Sequence, residues 1–519
     1  MRIRIVGAGA MGRGIAQWAA TAGHTVELCD VRAEAVTAAV DFVRSMLERA
    51  VQKGRMSAED SAATLERLIP LDDPWAQGPD VELVVEAVRE DLDTKTEVFG
   101  RLEKALPATA VFATNTSSLS VTRIAAALED PTRLAGLHFF NPVPLMKIVE
   151  IVPGAATRPE IPSALTALVE SCGHRAVTVA DTPGFLVNHA GRGLVTEALA
   201  LLEETVGDPA DIDRIARDVL GLRMGPFELM DLTGLDVTAA VIDSIWQGFR
   251  YADRLRPSYL TPNRVAAGLH GRKTGRGWYA YDPEAPAPAP APEPPVTGDA
   301  DRPVYVHGTE GQDRDAAALR TALTAAGAVV ETGDGPSADA LVLVPVWGTT
   351  VAAAVAGHGL PAERTFGVDP LPAAGRRRVL AVTPAADPAA ARDARAVLAR
   401  AAQGEEPWAV SVVRDTAGSV AQRLLASIVS VAAGIAERSI AAPADIDLAV
   451  TAGLGYPVGP LAWGDRIGAD RMLELHRALH RTTGDPRHRP SRWITERAQL
   501  GLALTDPGTS PAACTADAT

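Results

Sequence analysis

The chain has 519 residues, which is too many for one domain, so about two to four domains are expected. Apolar residues make up 47% of the chain, enough to build folded cores, which excludes a disordered protein. The formal net charge is −14, from 50 basic and 64 acidic residues, and no basic cluster offsets it. This charge balance argues against nucleic acid and anionic membranes as partners.

The cysteines and the apolar runs indicate a cytoplasmic protein. Three cysteines are scattered along the chain without the spacing of a disulfide framework or a metal site, namely Cys29, Cys172 and Cys514. Met1 leads directly into a strand-like segment, so no charged and apolar leader is expected. The apolar run Leu424–Ile435 is shorter than the roughly 20 residues that span a bilayer, and two serines interrupt it. We therefore expect neither a membrane partner nor a metal site.

A glycine-rich turn between a strand and a helix is the first chemical feature. The apolar strand Arg2–Val6 leads into the turn, and the helix-like segment Gly14–Ala22 follows it. The residues of the turn are Gly7, Ala8, Gly9, Ala10, Met11 and Gly12. A GxGxxG turn in this context is typical of a dinucleotide site, because its glycines permit a tight turn and a close approach of the pyrophosphate to the helix N-terminus. The alternative is a structural turn in an unrelated α/β protein.

An acidic residue further along supports the dinucleotide site and indicates the cofactor. The strand Thr25–Cys29 ends at Asp30, about 20 residues after Gly7, as in dinucleotide-binding folds. A carboxylate at this place can accept hydrogen bonds from both ribose hydroxyls and would repel a 2′-phosphate. The pattern therefore predicts NAD, not NADP.

Two charged segments leave a functional and a surface interpretation open. Glu90 and Lys95 follow the buried strand Val81–Val85, where side chains face the ligand crevice, but ordinary helix-surface pairs have the same pattern. Lys53 lies at the end of the helix-like segment Arg32–Gly54, where it would suit a phosphorylated substrate. Charges at such a place are more often solvated surface, and the residues alone favour that interpretation.

Hydroxyl side chains follow the strand Thr109–Thr114. Ser117 and Ser118 lie just beyond the tip of this strand, ahead of the helix-like segment Val121–Leu128. Serine commonly caps a helix, so one of the two is expected to cap this one. The other hydroxyl then remains available to a ligand.

A histidine and a glutamate lie on two consecutive apolar runs. His138 lies near the end of the first run, which Asn141-Pro142 terminates, and Glu150 closes the second. A lone histidine on an apolar strand is more often part of a core than a catalyst. A hairpin-like return would nevertheless bring the imidazole and the carboxylate together, and such a pair fixes the tautomer and raises the basicity of histidine. With a dinucleotide, the pair suggests hydride chemistry on an alcohol or a ketone.

Taken together, these motifs resemble those of the L-3-hydroxyacyl-CoA dehydrogenases. The resemblance covers residues 1–281, and its matching segments are Gly7–Gly12, Asp30, Val84–Glu90, Asn115–Leu119, His138–Glu150, Asp181–Asn188, Met224–Asp231 and Gly271–Tyr279. It implies an α/β Rossmann-type NAD-binding domain followed by an all-α domain. It also implies an oxidoreductase that converts (S)-3-hydroxyacyl-CoA to 3-ketoacyl-CoA, in fatty-acid β-oxidation or in phenylacetate-type catabolism of aromatic acids.

The resemblance assigns catalytic and substrate roles. His138 is expected to be the general base, paired with Glu150, while Ser117 and Asn188 hold the substrate oxygen. Lys53 matches the family's lysine that contacts CoA, and this match replaces the surface interpretation of Lys53. Ser117 is also expected to contact the CoA substrate. The serine that the family carries near that helix has no clean match here.

The resemblance also assigns the cofactor contacts. Asp30 is expected to bind the adenosine ribose of NAD, next to the glycine turn. The residues expected around the rest of the cofactor are Glu90, Lys95, Ser117, Asn141 and Lys273. No metal is expected, because the nicotinamide carries the redox chemistry.

The second half of the chain repeats part of the first. Matching pairs share one offset (415 − 181 = 470 − 236 = 234), and they are Asp181/Asp415, Gly184/Gly418, Asp211/Asp445, Gly225/Gly459, Asp231/Asp465 and Asp236/Asp470. The repeat predicts a second copy of the all-α domain, with Gln422 in the place of Asn188. The segment before it has strand and helix character but no GxGxxG, so we interpret it as a degenerate Rossmann-like segment. Its two histidines, His307 and His358, have no predicted partners.

Six segments follow from these boundaries: 1–182 (NAD-binding), 183–281 (helical), 282–300 (Pro/Ala-rich linker), 301–404 (degenerate Rossmann-like), 405–505 (second helical) and 506–519 (tail). Helical domains pair into dimers in the family, so the tandem copy predicts a homodimer or an intrachain pseudo-dimer. The layout is similar to that of the 3-hydroxybutyryl-CoA and 3-hydroxyadipyl-CoA dehydrogenases, although architecture does not define the acyl chain.

Two other functions stay open from the sequence. One is an NAD-dependent dehydrogenase of a hydroxy acid without CoA, against which Lys53 and the His138–Glu150 spacing argue. The other is a non-catalytic NAD-binding assembly protein. The complete set of Ser117, His138, Glu150 and Asn188 argues against that function.

Overall fold

The computed structural model describes residues 1–282, 292–308 and 313–515, and the chain divides into two compact units. The first unit comprises Met1–His189 together with Arg438–Leu454, and the second comprises Ala190–Glu437 together with Gly455–Thr519. The first unit therefore includes a segment from the second half of the chain.

An eight-stranded sheet forms the centre of the first unit. Its strands are β1 (Arg2–Val6), β2 (Thr25–Cys29), β3 (Leu68–Leu71), β4 (Leu83–Glu86), β5 (Val111–Thr114), β6 (Leu134–Phe139), β7 (Ile148–Pro153) and β8 (Arg175–Thr178). They lie in the order β3-β2-β1-β4-β5-β6-β7-β8, and every neighbouring pair is parallel except β6–β7. The order reverses direction at β1, which is where open α/β sheets bind their ligands.

Helices cover both faces of this sheet. Those before residue 190 are α1 (Ala10–Thr21), α2 (Ala33–Gln52), α3 (Ala58–Glu66), α4 (Leu92–Ala105), α5 (Val121–Ala125), α6 (Glu160–Ser171) and α7 (Val187–Ala190). One core contains Ile15 of α1, Val43 of α2 and Leu165 of α6, packed on sheet residues such as Ile5 and Leu137. Helix α1 begins four residues earlier than the predicted Gly14, because Gly9 is extended and ends the turn directly ahead of the helix.

One local prediction in this unit is wrong. Neither Ser117 nor Ser118 caps α5; the cap is Ser120, whose hydroxyl accepts from the N–H of Arg123. Ser117 and Ser118 turn instead toward Glu90, described below. A break separates α7 from the next helix, α8 (Arg192–Glu203), which belongs to the second unit.

The second unit combines helices with a five-stranded sheet. Its helices up to residue 282 are α8, α9 (Pro209–Asp218), α10 (Pro226–Thr233), α11 (Leu235–Gly248) and α12 (Leu260–Ala266). The sheet and its helices are β9 (Val304–Val306), α13 (Asp313–Ala325), β10 (Leu341–Pro345), α14 (Val351–His358), β11 (Thr365–Val368), β12 (Arg377–Val382), α15 (Pro388–Ala399) and β13 (Ala409–Arg414). The last helices are α16 (Ser419–Glu437), α17 (Pro443–Leu454, in the first unit), α18 (Pro460–Ile467), α19 (Ala469–Thr483) and α20 (Arg492–Leu500).

The five-stranded sheet repeats one side of the first sheet. Its order is β13-β12-β11-β10-β9, and only β11–β12 is antiparallel, as only β6–β7 is in the first sheet. Within residues 292–308 and 313–515 it corresponds to β4–β8, without a counterpart of β1–β3, the part that carries the glycine turn. This is the degenerate Rossmann-like fold that the sequence predicts.

The helical copies repeat even their unusual backbone angles. Phe185 and Thr205 have positive φ angles of 48° and 55° in the first copy. Ser419 and Ser439, 234 positions later, have positive φ angles of 52° in the second. Non-glycine residues rarely adopt such angles, so their recurrence at one offset shows that the all-α domain is duplicated.

The second sheet does not repeat the histidine–glutamate pair. The β11–β12 register places Asp369 opposite Val379, as the β6–β7 register places His138 opposite Glu150. Asp369 Oδ1 accepts from Gln422 Nε2 at 2.9 Å, and burial raises the pKa of Asp369 to about 6. With valine in the place of the glutamate, this sheet lacks the general-base arrangement.

Three further predictions concern α16, the two histidines and the linker of the second half. Helix α16 has 19 residues and is long and apolar enough to cross a membrane, contrary to the expectation from Leu424–Ile435, but 94% of its apolar window is buried in the fold. His307 and His358 are partners after all, with ring centroids 4.6 Å apart. Residues 283–291 of the predicted linker lie outside the described residues, while Glu293 pairs with Arg377.

Candidate active site

The glycine turn after β1 is shaped to admit a dinucleotide. A Cβ on Gly7 would lie 2.5 Å from the carbonyl oxygen of Ala87, and one on Gly12 would lie 1.7 Å from that of Gly7. A Cβ on Gly9 would meet nothing within 4 Å. No side chain caps the N-terminus of α1, so its first N–H groups remain available to a phosphate. Gly7 and Gly12 are therefore needed by the fold, and Gly9 faces open space.

Asp30 lies beside this turn and lines a cavity of ≈480 Å³ together with Gly7 and Gly9. Its Oδ2 accepts from the N–H of Ala8 at 2.9 Å, and its Oδ1 accepts from the N–H of Arg32 at 3.0 Å. These contacts hold the carboxylate at the end of β2, where the predicted ribose contact requires it. The open face at Gly9, the uncapped helix and this carboxylate fit NAD.

Glu90 binds the turn that carries Ser117. Its Oε1 accepts from the N–H groups of Ser117 and Ser118 at 2.7 and 2.9 Å, and from the hydroxyl of Thr116 at 2.7 Å. Burial acts to raise the pKa of Glu90, but Lys95 and these hydrogen bonds outweigh it and lower the pKa to about 2. Glu90 is thus a charged anchor for the turn beyond β5.

Lys95 is buried between two carboxylates. Its Nζ lies 2.6 Å from Glu86 Oε1 and 3.3 Å from Glu90 Oε2, and the side chain is 1% exposed. The structure therefore shows Lys95 supporting Glu90. Its expected contact with the cofactor stays a prediction, as does that of Glu90.

His138 and Glu150 face each other across the antiparallel pair β6–β7. The Nδ1–H of His138 donates to Glu150 Oε2 at 2.5 Å. The other carboxylate oxygen, Oε1, accepts from the N–H groups of Leu186 and Val187 at 3.0 and 2.7 Å. His138 is 5% exposed and Glu150 is fully buried, so the pair is shielded from water. The ring centroids of Phe140 and Phe185 lie 4.5 and 5.7 Å from the centroid of the His138 imidazole.

Asn188 and Lys273 of the predicted site belong to different units of the chain. Asn188 follows Val187 in α7, directly after the N–H that binds Glu150. Asn115 Oδ1 accepts from the N–H of Phe139 at 2.8 Å, which ties the end of β5, ahead of Ser117, to β6. Lys273 belongs to the second unit, where its Nζ lies 2.5 Å from Asp236, and its contact with the cofactor stays a prediction.

Lys53 lines a second cavity of the first unit, of ≈360 Å³, together with Asn141. Three arginines line the same cavity: Arg13, Arg49 and Arg55. Within the described part of the chain, none of these four cations has a carboxylate within 4 Å. Arg49 precedes Lys53 by one helical turn, a spacing that the sequence does show, but Arg13 comes from another helix. The cluster is a local positive site on a chain of net charge −14.

These features define a class of protein. A glycine turn of the dinucleotide type, a carboxylate beside it and a buried histidine–glutamate pair on one α/β sheet fit a dehydrogenase that acts on an alcohol with a nicotinamide cofactor. The family follows from comparison with known proteins.

The family model for the 3-hydroxyacyl-CoA dehydrogenase NAD binding domain matches residues 2–182. The model for the 3-hydroxyacyl-CoA dehydrogenase C-terminal domain matches residues 184–281 and again 418–508. The chain belongs to the 3-hydroxyacyl-CoA dehydrogenase family. It is an NAD-dependent oxidoreductase that acts on 3-hydroxyacyl-CoA.

Individual relatives agree with this assignment. The 3-hydroxyadipyl-CoA dehydrogenase of Escherichia coli strain K12 is 36% identical over 96% of this chain and 97% of its own. The mitochondrial hydroxyacyl-coenzyme A dehydrogenase of Sus scrofa is 37% identical, over 54% of this chain and 90% of its own. The crystal structure of 3-hydroxybutyryl-CoA dehydrogenase from Escherichia coli K12 matches with a TM-score of 0.83 and 35% identity, covering 96% of this chain and 98% of that one. Similarity therefore extends through both halves of the chain.

Proposed function

We propose that the chain oxidises (S)-3-hydroxyacyl-CoA to 3-ketoacyl-CoA with His138 as the general base and Glu150 as its partner. The observation that carries this proposal is the buried pair, in which the 2.5 Å contact between Nδ1 and Oε2 leaves Nε2 of the imidazole to meet the substrate. Both oxygens of Glu150 are hydrogen-bonded, so the carboxylate holds the ring in one orientation and one tautomer.

Each residue then has one task in the reaction. NAD, when bound, supplies the acceptor for the hydride from C3. Nε2 of His138 takes the proton of the C3 hydroxyl, and the charge that forms on the imidazole is stabilised by Glu150. In the reverse direction the imidazolium returns this proton to the oxygen. Ser117 and Asn188 donate hydrogen bonds to that oxygen, where negative charge develops.

The cationic cavity supports CoA as the carrier of the substrate. Arg13, Arg49, Lys53 and Arg55 surround a space on the same unit as His138, and CoA carries phosphates that such a cluster attracts.

We extend the proposal to short acyl chains, in fatty-acid or phenylacetate-type catabolism in the cytoplasm. Relatives that match most of this chain are named for 3-hydroxyadipyl-CoA and 3-hydroxybutyryl-CoA. Comparing kcat/KM for these two substrates and for longer chains tests the extension. A preference for long chains would contradict it.

The test of the base is His138→Gln, assayed by NADH oxidation with acetoacetyl-CoA. We expect kcat to fall by about 10²–10⁴-fold, the usual contribution of a general acid–base group, while NADH binding is kept. The matched control is His174→Gln, because His174 is also a buried histidine of the first unit but binds the carbonyl of Val143. Turnover by His138→Gln at the wild-type rate would show that another group is the base.

A further inference from the structure

Helix α17 belongs by sequence to the second helical copy but packs within the first unit. It contacts β7, the strand of Glu150, and the neighbouring strand β8. The segment ahead of it is tied down as well, because the carbonyl of Ile440 accepts from the N–H of Ala180 at 2.8 Å. The wall of the catalytic unit beside Glu150 is thus supplied by the second half of the chain.

The same packing occurs in the second unit with the copies reversed. There α9, the counterpart of α17 in the first copy, contacts β12 and β13. The carbonyl of Val206 accepts from the N–H of Arg414 at 2.8 Å. Val206 and Ile440, and likewise Ala180 and Arg414, differ by 234 positions, which is the offset of the repeat. The two copies have therefore exchanged equivalent helices.

The exchanged helix reaches the residue that binds Glu150. A Cβ on Gly453 of α17 would lie 3.1 and 3.2 Å from the methyl carbons of Val187, and 3.8 Å from Ile148. Val187 is 2% exposed, and its N–H donates to Glu150 Oε1 at 2.7 Å. Any side chain at position 453 must therefore displace Val187 or α17.

The first copy shows that the helix itself does not require this glycine. The counterpart of Gly453, 234 positions earlier, is Val219, directly after α9. That valine lies by the sheet that lacks the histidine–glutamate pair. Glycine occurs only in the copy that packs next to Val187.

We propose that Gly453 is a positioning residue of the active site, through which the second helical copy holds the Val187 amide against Glu150. The inference rests on the proposed function, because it concerns the pair His138–Glu150. Glu150 is fully buried and its carboxylate accepts three hydrogen bonds, so losing one loosens the carboxylate that orients His138. The second half of the chain is then part of the catalytic apparatus.

The test is Gly453→Val, with Ala452→Val as the matched control, because Ala452 is the preceding residue of α17 and is exposed. We expect Gly453→Val to lower kcat by about 10–100-fold, because a misplaced catalytic group causes losses of this size. The KM for the acyl-CoA and the affinity for NADH should stay nearly unchanged. Gly453→Ala should show a smaller loss in the same direction. Ala452→Val should keep the wild-type kcat.

A second variant separates positioning from general damage and serves if Gly453→Val folds poorly. Val187→Ala combined with Gly453→Val removes the two methyl groups that the new side chain meets, and should restore most of the lost kcat. Wild-type kcat in Gly453→Val, or a loss of kcat that Val187→Ala does not relieve, would overturn the inference. His138→Gln is assayed in parallel: if it retains turnover, the proposed base is wrong, whereas an inactive His138→Gln with a fully active Gly453→Val rejects only the role of Gly453.

Discussion

At the residue scale, the site depends on carboxylates that hold other groups in place. Glu150 holds His138, and Glu90 holds the turn of Ser117. The spacing along the chain predicted that Glu150 would return to His138, because two apolar runs joined by a turn pair as antiparallel strands. The spacing could not predict that Lys95 would be buried between Glu86 and Glu90, since a charged pair on a helix is exposed in most proteins.

Replacing Glu150 by glutamine tests the pair from the carboxylate side. In Glu150→Gln the side-chain carbonyl can still accept from Leu186 and Val187, but the amide then presents N–H to His138 Nδ1. The ring would have to place its proton on Nε2, the nitrogen proposed to receive the substrate proton. We expect kcat to fall by about 10²–10⁴-fold with little change in NADH binding.

The measurement is steady-state kinetics together with thermal unfolding of Glu150→Gln. A loss of kcat without a loss of folded protein supports the role of Glu150 in orienting the base. A variant that keeps the wild-type kcat would show that the tautomer of His138 does not depend on Glu150.

At the scale of helices and strands, the sequence reveals local patterns but not long-range packing. Strands β1 and β2 and the glycine turn between β1 and α1 were predictable, because their apolar runs and glycines are contiguous in the chain. The exchange of α9 and α17 was not, because it joins residues as far apart as Ala180 and Ile440. Arg13 and Arg49 of the cationic cavity were missed for a related reason, since they lie on separate helices.

The glycine turn gives a prediction with a matched pair of variants. Gly12→Ala places a Cβ against the carbonyl of Gly7, so we expect a backbone shift that costs about 1–3 kcal/mol of stability and weakens NADH binding. Gly9→Ala meets no atom within 4 Å, so it should unfold at the wild-type temperature and lose only NADH affinity. Thermal unfolding and NADH titration measure both effects. If Gly9→Ala binds NADH as the wild type does, the pyrophosphate does not approach Gly9.

At the scale of the whole molecule, the duplicated helical domains meet inside one chain. Helices α8 and α16 pack closely, and a Cβ on Gly193 would lie 2.8 Å from the carbonyl of Ser427. Ser427 is the counterpart of Gly193 in the second copy, 234 positions later. A residue that packs against its own counterpart indicates a local two-fold relation between copies, as in a symmetric dimer. The contact supports the predicted intrachain pseudo-dimer, which stays a prediction.

A buried ion pair joins the two copies at this contact. Arg423 of α16 is paired with Glu197 of α8 at 2.6 Å, and their side chains are 0% and 1% exposed. Glu197 also lies 3.3 Å from His488 and 3.5 Å from Arg487. Burial acts to raise the pKa of Glu197, but Arg423 and these neighbours hold it well below its usual range. Glu197 therefore stays charged in the fold at neutral pH.

Breaking this pair tests the pseudo-dimer as a unit of stability. Arg423→Met leaves the charge of Glu197 buried with less compensation, so we expect a loss of about 3–5 kcal/mol in the free energy of unfolding. The pair stabilises the fold fully above the ordinary carboxyl pKa of about 4.3 and loses this effect as the pH falls toward the lower folded pKa, so the difference between variant and wild type should shrink in acid. Adding Glu197→Leu removes the unpaired charge and should recover much of the loss. Denaturant unfolding at neutral and acidic pH measures these differences, and an Arg423→Met variant as stable as the wild type would mean that the two copies do not depend on each other through this contact.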